Sequence, residues 1–480
     1  MTYPALRTWI GGDAEESPES DGTWLHDPNT GTAIAACLSS STDQVDRAVG
    51  AAQAAHDDRR WRGLAPELRA EKLDALADWI DARAEEIARL DAINSGVPIS
   101  VTRLFGGANG ATLRDAGRRA VAVGDSRALP ADQGGVRSHR VPWGPTALIL
   151  PWNAPSAMAV KKTAFALAAG AVVVLKPSSF SPWSAQVLME GAQAVGIPDG
   201  VISLVQGSGG VGRRLVADER IAAISMTGST PTGRAIAATA AARFARLQLE
   251  LGSNNAAIVR ADADLPSTAK ALADGVLKLS GQWCEAPRRV LVDRARRDEL
   301  AALLVDEFGR RVIGSSLDAE TEVGPVAFAA RREELEEQRD RLLAQGADVV
   351  RAAEVPTHGS FFAPTVAVLD GPGLPDEVFG PMILVGGYSD EEEAVRLANT
   401  GQVGLAGYVF GADIPAAADL GTRLVAGEVK VNGTSVLDMS PSSAQSFFGA
   451  SGLGGHGDDD VLDFFVGKQI VGVDRPGLPL

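Results

Sequence analysis

Between Thr146 and Ala245 short apolar runs alternate with stretches of helical character. TALIL (146–150) is followed by APSAMAVKKTAFALAAG, and AVVVL (171–175) by SPWSAQVLMEGAQAVG. VISLVQ (201–206) leads into VGRRLVADE, and IAAISMTG (221–228) into TPTGRAIAATAAARFA. Apolar runs of strand length separated by helices predict a parallel sheet covered on both faces. A second alternating region begins near Leu251. There the pattern predicts strands at Ala256–Val259, Arg289–Val292, Thr365–Leu369, Met382–Val385 and Tyr408–Phe410, and helices at Asp298–Phe308, Ala330–Gln345 and Asp390–Ala398. Upstream, Ser41 and Gln44 have capping-box spacing ahead of Val45, Ala48, Val49 and Ala52, which predicts a helix start. Arg69 to Leu90 places Leu73, Leu76, Ile80, Ala84 and Ile87 on one face and reads as one amphipathic helix. The first two dozen residues are polar and turn-rich, and are expected at the surface. KQIVGVDRPGLPL reads as one strand and a proline-limited tail. A terminal strand commonly pairs with another edge, in some proteins across a subunit boundary.

Composition narrows the function classes. A chain of 480 residues is expected to hold about two or three domains. The net charge of −16 excludes a nucleic-acid partner, because phosphate binding needs a basic surface. The two cysteines, Cys37 and Cys284, cannot build a disulfide framework, which fits a reducing compartment. No basic segment followed by an apolar core opens the chain, and the longest apolar run, Thr163 to Leu175, is too short to span a bilayer. A cytoplasmic protein without a membrane partner is therefore expected. The five histidines are scattered and no His-Glu-x-x-His occurs, so no metal site is predicted. No G-x-S-x-G elbow is present either.

Several positions could carry chemistry. Gly207, Gly209 and Gly212 fit G-x-G-x-x-G after a strand, although a glycine-rich turn fits equally. Thr227, Gly228 and Ser229 follow a strand and enter a helix with Pro231 in its first turn; a phosphate cradle and a serine cap are both open. Lys176 stands at the carboxyl end of a predicted parallel strand, where such sheets bind ligands, or simply opens a solvated loop. Asn153, between Trp152 and Pro155, is either a rigid amide donor or a turn residue. Cys37 reads as a small buried hydrophobe. Cys284, in SGQWCEAPRR, has polar and turn-forming neighbours, and its thiolate would be a nucleophile towards a carbonyl. Glu250 ends an apolar stretch, as a general base or as a surface carboxylate.

Taken together these motifs resemble the aldehyde dehydrogenase superfamily over nearly the whole chain. In family order they are Pro151-Trp152-Asn153, Lys176-Pro177, Thr227-Gly228-Ser229 with Gly233, Glu250-Leu251-Gly252, Gly281-Gln282-x-Cys284, Glu377-x-Phe379-Gly380-Pro381 and Val431-Asn432. The resemblance implies an α/β fold with a Rossmann-like cofactor domain (1–123 and 143–251), an α/β catalytic domain (252–448) and a small β oligomerisation element (124–142 and 466–480), assembled as a homodimer or homotetramer. It implies oxidation of a small-molecule aldehyde to its acid with hydride transfer to NAD or NADP. Cys284 would form the thiohemiacetal and then the thioester, the Asn153 amide and the Cys284 backbone N–H the oxyanion hole, and Glu250 the base that activates water. Pro151, Trp152, Lys176, Ser179, Gly209, Gly212, Thr227, Gly228, Ser229, Leu251, Gly252, Glu377 and Phe379 would surround the cofactor. Within that set Lys176 would take the adenosine ribose, Ser229 the pyrophosphate and Glu377 the nicotinamide ribose, with Phe379 beside the ring.

Departures from the family pattern carry their own expectations. Many members carry Glu where this chain has Ser179. Without that charge, acceptance of NADP, or preference for it, is expected. LGSN replaces LGGK, and the loop FFGASGLGGHGD is shorter than usual. Lys161 falls where an aromatic residue often lines the substrate tunnel, and pairing with Glu285 would neutralise it. Two alternatives remain: acyl transfer to coenzyme A, which Glu250 argues against, and a non-catalytic binding or structural protein that keeps the fold.

Overall fold

The structure, a computed structural model, describes residues 3–17, 19–130, 135–369, 376–436, 439–440 and 443–473. Its centre is two sheets whose strands are mostly parallel. In the first, of eight strands, the parallel core runs in the order Ile202–Leu204, Val173–Lys176, Thr146–Ile149, Ala223–Gly228, Arg246–Leu251. In chain order these are strands 3-2-1-4-5, so the winding reverses between Thr146–Ile149 and Ala223–Gly228. A ligand crevice opens at that point, beyond the carboxyl ends of the strands. Helices Pro155–Ala168, Trp183–Ala194, Gly209–Ala217 and Thr230–Ala241 form the crossovers. Near-continuous burial of the strands follows from cover on both faces, with Trp61, Phe165 and Trp183 among the largest fully buried side chains around them.

The second sheet has seven strands in the order Asp348–Arg351, Thr365–Val368, Met382–Tyr388, Arg289–Asp293, Ala256–Val259, Ala406–Phe410, Glu428–Val431, all parallel except the first. The strands and helices predicted for both regions are present. A separate three-stranded antiparallel sheet joins Ser126–Ala128 and Arg137–Pro142 to Val466–Val471. The tail beyond Val473 lies outside the described residues.

Two expectations are corrected. The first two dozen residues are not merely surface turns: Arg7–Ile10 adds an antiparallel strand beside Ile202–Leu204, with Trp9 and Ile10 buried. The single helix expected over Arg69 to Leu90 is two, Pro66–Asp81 and Ala84–Ser95. The apolar stripe runs through the break because both helices bury against the same core, so periodicity alone does not reveal it. The Ser41 capping box forms as expected, with Ser41 Oγ accepting from Gln44 N at 3.1 Å and Gln44 Oε1 from Ser41 N at 3.0 Å.

Candidate active site

A cleft of about 890 Å³ opens at the switch point of the first sheet and extends to the second. Cys284, Glu250 and Asn153 and every residue expected around the cofactor line it, whereas Gly207, Lys161 and Glu285 do not. Pro151, Trp152 and Asn153 follow Thr146–Ile149, Lys176 ends Val173–Lys176, and Ser179 lies just beyond it. Gly209 and Gly212 begin the helix after Ile202–Leu204, and Thr227, Gly228 and Ser229 close Ala223–Gly228. Glu250, Leu251 and Gly252 end Arg246–Leu251, while Cys284, Glu377 and Phe379 come from the second sheet's loops.

The thiol and the carboxylate meet through strand register. Parallel pairing sets Thr227 beside Glu250, and the Thr227 hydroxyl donates to Glu250 Oε2 at 3.1 Å. The other carboxylate oxygen, Oε1, lies 3.8 Å from Cys284 Sγ. Burial pushes the Cys284 thiol well above its usual range, and the negative charges of Glu250, Glu285 and Glu377 push it further. A protonated thiol beside a carboxylate is arranged for base-assisted attack. Asn153 Nδ2 donates to the Gln282 carbonyl at 2.8 Å, which fixes the amide two residues before the thiol.

The loop carrying Cys284 is held by its own Gln282 and by Asn255, Arg288 and Tyr408, three residues no motif in the sequence singled out. Asn255 Nδ2 donates to the carbonyls of Cys284 (2.8 Å) and Ala286 (3.0 Å). Buried Arg288 donates to the carbonyls of Gly281, Trp283 and Gly380, and the Tyr408 hydroxyl to that of Glu285. Gln282 Nε2 donates to Ser95 O, and its Oε1 accepts from Ala327 N. Gly281 has φ of 79°, and a Cβ there would lie 2.1 Å from Pro381 N, so both conformation and space demand glycine.

The rest of the cleft suits an elongated, phosphate-bearing ligand. Its volume falls in the upper part of the range for small-molecule sites, about 300–1,000 Å³. Ser229 is the N-cap residue of Thr230–Ala241, but its hydroxyl contacts Thr232 Oγ1 (2.9 Å) and makes no cap bond to the backbone. Ser229, Pro231 and Thr232 at the start of this 12-residue helix line the cleft, and a helix N-terminus favours an anion, although Pro231 offers no N–H. A Cβ on Gly252 would overlap the Glu377 carboxylate, which accepts from Ser253 N at 3.2 Å. Burial raises Glu377 to about 7, opposed by the Arg288 guanidinium. Lys176 is buried, lowered to about 8 by that burial, and donates to Pro177 O at 3.0 Å. Two further lining residues, Arg213 and Arg331, were not anticipated. Arg213 is exposed, stands against the Gly209 backbone at the helix start, and makes no ion pair among the described residues. The doubled arginine in VGRRL was the available signal.

The pairing of Lys161 with Glu285 is not present. Lys161 Nζ lies 3.4 Å from Asp458, whereas Glu285 is buried with Lys430 Nζ at 4.0 Å. Cys37 is buried, as expected of a packing residue. The shortened loop supplies Gly452–Leu453, an edge strand antiparallel to Arg246–Leu251 that pairs Gly452 with Glu250. Among the described residues there is no cluster of potential metal ligands and no helix long and apolar enough to cross a membrane.

Comparison with known proteins bears on the whole chain. Residues 16–471 match the model of the aldehyde dehydrogenase family. Geranial dehydrogenase of Castellaniella defragrans is 33% identical over 439 residues, covering 90% of this chain and 92% of that protein. A betaine aldehyde dehydrogenase of Cereibacter sphaeroides is 35% identical over 436 residues, covering 90% and 88%. The crystal structure of a variant of aldehyde dehydrogenase C from Pseudomonas syringae, in complex with NAD+ and octanal, superposes with a TM-score of 0.90 at 29% identity, covering 99% of this chain and 98% of that one.

Proposed function

The chain belongs to the aldehyde dehydrogenase family, and on that premise we propose that it oxidises an aldehyde to its carboxylic acid at Cys284, with NAD(P) as hydride acceptor. The observation that carries this reading is the 3.8 Å approach of Cys284 Sγ to Glu250, at the inner end of a dinucleotide-sized cleft. The Cys284 sulfur bonds the carbonyl carbon, and Glu250 takes the thiol proton. The developing oxyanion is stabilised by the Asn153 amide and the Cys284 backbone N–H; donors of this kind contribute about 3 kcal/mol each to the barrier. A bound NAD or NADP supplies the acceptor for the hydride leaving the thiohemiacetal. Glu250 releases the thiol proton to solvent and, as a carboxylate again, takes a proton from the water that attacks the Cys284 thioester; the carbon–sulfur bond breaks, the acid departs, and the Cys284 thiolate recovers a proton from Glu250.

The residues fit the cofactor. Glu377, held by Ser253 N, would receive one ribose, with Phe379 and Trp152 packed edge to face (5.4 Å) beside it. Ser229 and the first turn of Thr230–Ala241 would receive the pyrophosphate, Gly209 and Gly212 would let the backbone approach, and Lys176 would meet the second ribose. Ser179 places no negative charge there, and Arg213 and Lys176 add positive charge, so NADP is accepted alongside or in preference to NAD.

Residues 1–123 with 143–251 form the cofactor domain in this reading, 252–448 the catalytic domain, and 124–142 with 466–480 an oligomerisation element joining two or four copies. The relatives' names span a terpenoid aldehyde and a quaternary ammonium aldehyde, and so name no substrate for this chain. The test is the appearance of reduced cofactor when aldehydes are added to purified protein, with and without coenzyme A. The expected product is the free acid in both cases. A coenzyme A thioester would move the chain to the acylating reading. Cofactor binding without reduction across a broad aldehyde panel would favour a non-catalytic one.

A further inference from the structure

Around Trp283, the residue preceding the proposed nucleophile, lies a group of charges that the oxidation does not use. Trp283 is buried and packs with Val97, Val101, Phe105 and Cys284. Two ammonium groups stand over its ring, Lys278 Nζ at 4.7 Å and Lys430 Nζ at 5.9 Å from the centroid. Lys430 is satisfied: Glu428 lies at 3.1 Å, Glu285 at 4.0 Å, and the Ser435 carbonyl accepts at 2.5 Å.

Lys278 is in a different position. It is the C-cap residue of helix Leu265–Leu277, where a cation suits the helix dipole. Its ammonium, however, donates to the carbonyl of Thr434 and approaches the Thr434 hydroxyl at 3.4 Å, away from its own helix. It makes no ion pair among the described residues. The nearby carboxylate on the same helix, Asp274, is already held by Lys270 at 2.8 Å and Arg311 at 2.6 Å. Burial and, less, the Lys430 charge lower Lys278 to about 8 against the opposing carboxylates of Asp274 and Glu285. Lys278 is half-buried and held only by neutral oxygens and an indole face, and an anion delivered by a ligand offsets the cost of partly desolvating such an ammonium.

The same geometry argues against a cationic ligand. An indole face ordinarily attracts ammonium groups. Here two lysines already occupy it and repel a third cation.

We infer that the aldehyde oxidised at Cys284 carries a carboxylate at the end remote from its carbonyl, and that the Lys278 ammonium receives that carboxylate. The inference rests on aldehyde oxidation at Cys284 and adds the class of substrate. The test uses purified full-length protein and three aldehydes of matched length, ending in a carboxylate, a carboxamide or a trimethylammonium group. In the wild-type protein kcat/KM for the carboxylate exceeds that for the carboxamide roughly tenfold, with the trimethylammonium aldehyde last. Lys278→Met brings the carboxylate-to-carboxamide ratio towards one, and Lys278→Arg restores most of it. A wild-type ratio near one, a preference for the trimethylammonium aldehyde, or a ratio unchanged in Lys278→Met overturns the assignment and leaves aldehyde oxidation standing. Failure to oxidise any of the three, while another aldehyde is oxidised, overturns the assignment alone; no oxidation across a broad aldehyde panel overturns both.

Discussion

At the scale of single residues, the chemistry turns on where one proton sits. The Cys284 thiol is raised by burial and by the carboxylates of Glu250, Glu285 and Glu377, so the free protein holds it protonated and reserves the anion for the moment a base acts. Peptide-mapped alkylation of Cys284 by iodoacetamide should therefore rise with pH through a midpoint above that of an ordinary thiol. Glu250→Gln removes the nearest of these charges, which favours the thiolate, so the midpoint should move down. A midpoint at or below the ordinary thiol value, or an upward move in Glu250→Gln, would contradict the account. The residues that pin this thiol were hardly legible in the chain. Cys284, Glu250 and Asn153 stand in recognisable local settings. Asn255, Tyr408 and the Arg288 bond to Gly380 act across the chain, the Tyr408 bond to Glu285 spanning 123 positions and the Arg288 bond 92, and a local pattern carries no trace of such a partner.

At the scale of elements, five parallel strands deliver their carboxyl ends to one crevice, and the cofactor contacts follow from that delivery. Val173–Lys176 brings Lys176 and, shortly after, Ser179; the helix Gly209–Ala217 brings Arg213 to the same end of the cleft. Introducing a carboxylate with Ser179→Glu should lower kcat/KM for NADP by roughly tenfold or more, about 1.4 kcal/mol, with little loss for NAD. Arg213→Ala should lower the NADP value more than the NAD value. Parallel losses for both cofactors in either variant would show that this end of the cleft does not meet a 2′-phosphate. These strands were readable because burial on both faces leaves continuous apolar runs. Asp13–Glu16 was not, since it is a mostly exposed edge strand of DAEE, with neither an apolar run nor alternation. The break between Pro66–Asp81 and Ala84–Ser95 was hidden for the opposite reason: Ile80 and Ile87 bury on either side of it and keep the stripe intact.

At the scale of the whole molecule, the strand Val466–Val471 returns to the hairpin Ser126–Ala128 and Arg137–Pro142 and forms the outer strand of that small sheet. Ile470 is 58% and Val471 51% exposed, so an apolar edge is open to a second copy. Sedimentation equilibrium should give a mass of two or four chains, and a single-chain mass would remove this role from the sheet. The assembly matters less to the account than the bond it attributes to one sulfur atom. Glu250→Gln, at a pH above the lowered midpoint of its Cys284, where the thiolate forms without a base, is mixed with oxidised cofactor and aldehyde and quenched with acid in the first turnover; it should yield a Cys284 peptide in which the acyl group replaces the thiol hydrogen, heavier by the aldehyde less two hydrogens, in step with the reduced cofactor formed. Reduced cofactor appearing while the Cys284 peptide keeps its unmodified mass would contradict covalent oxidation at this site.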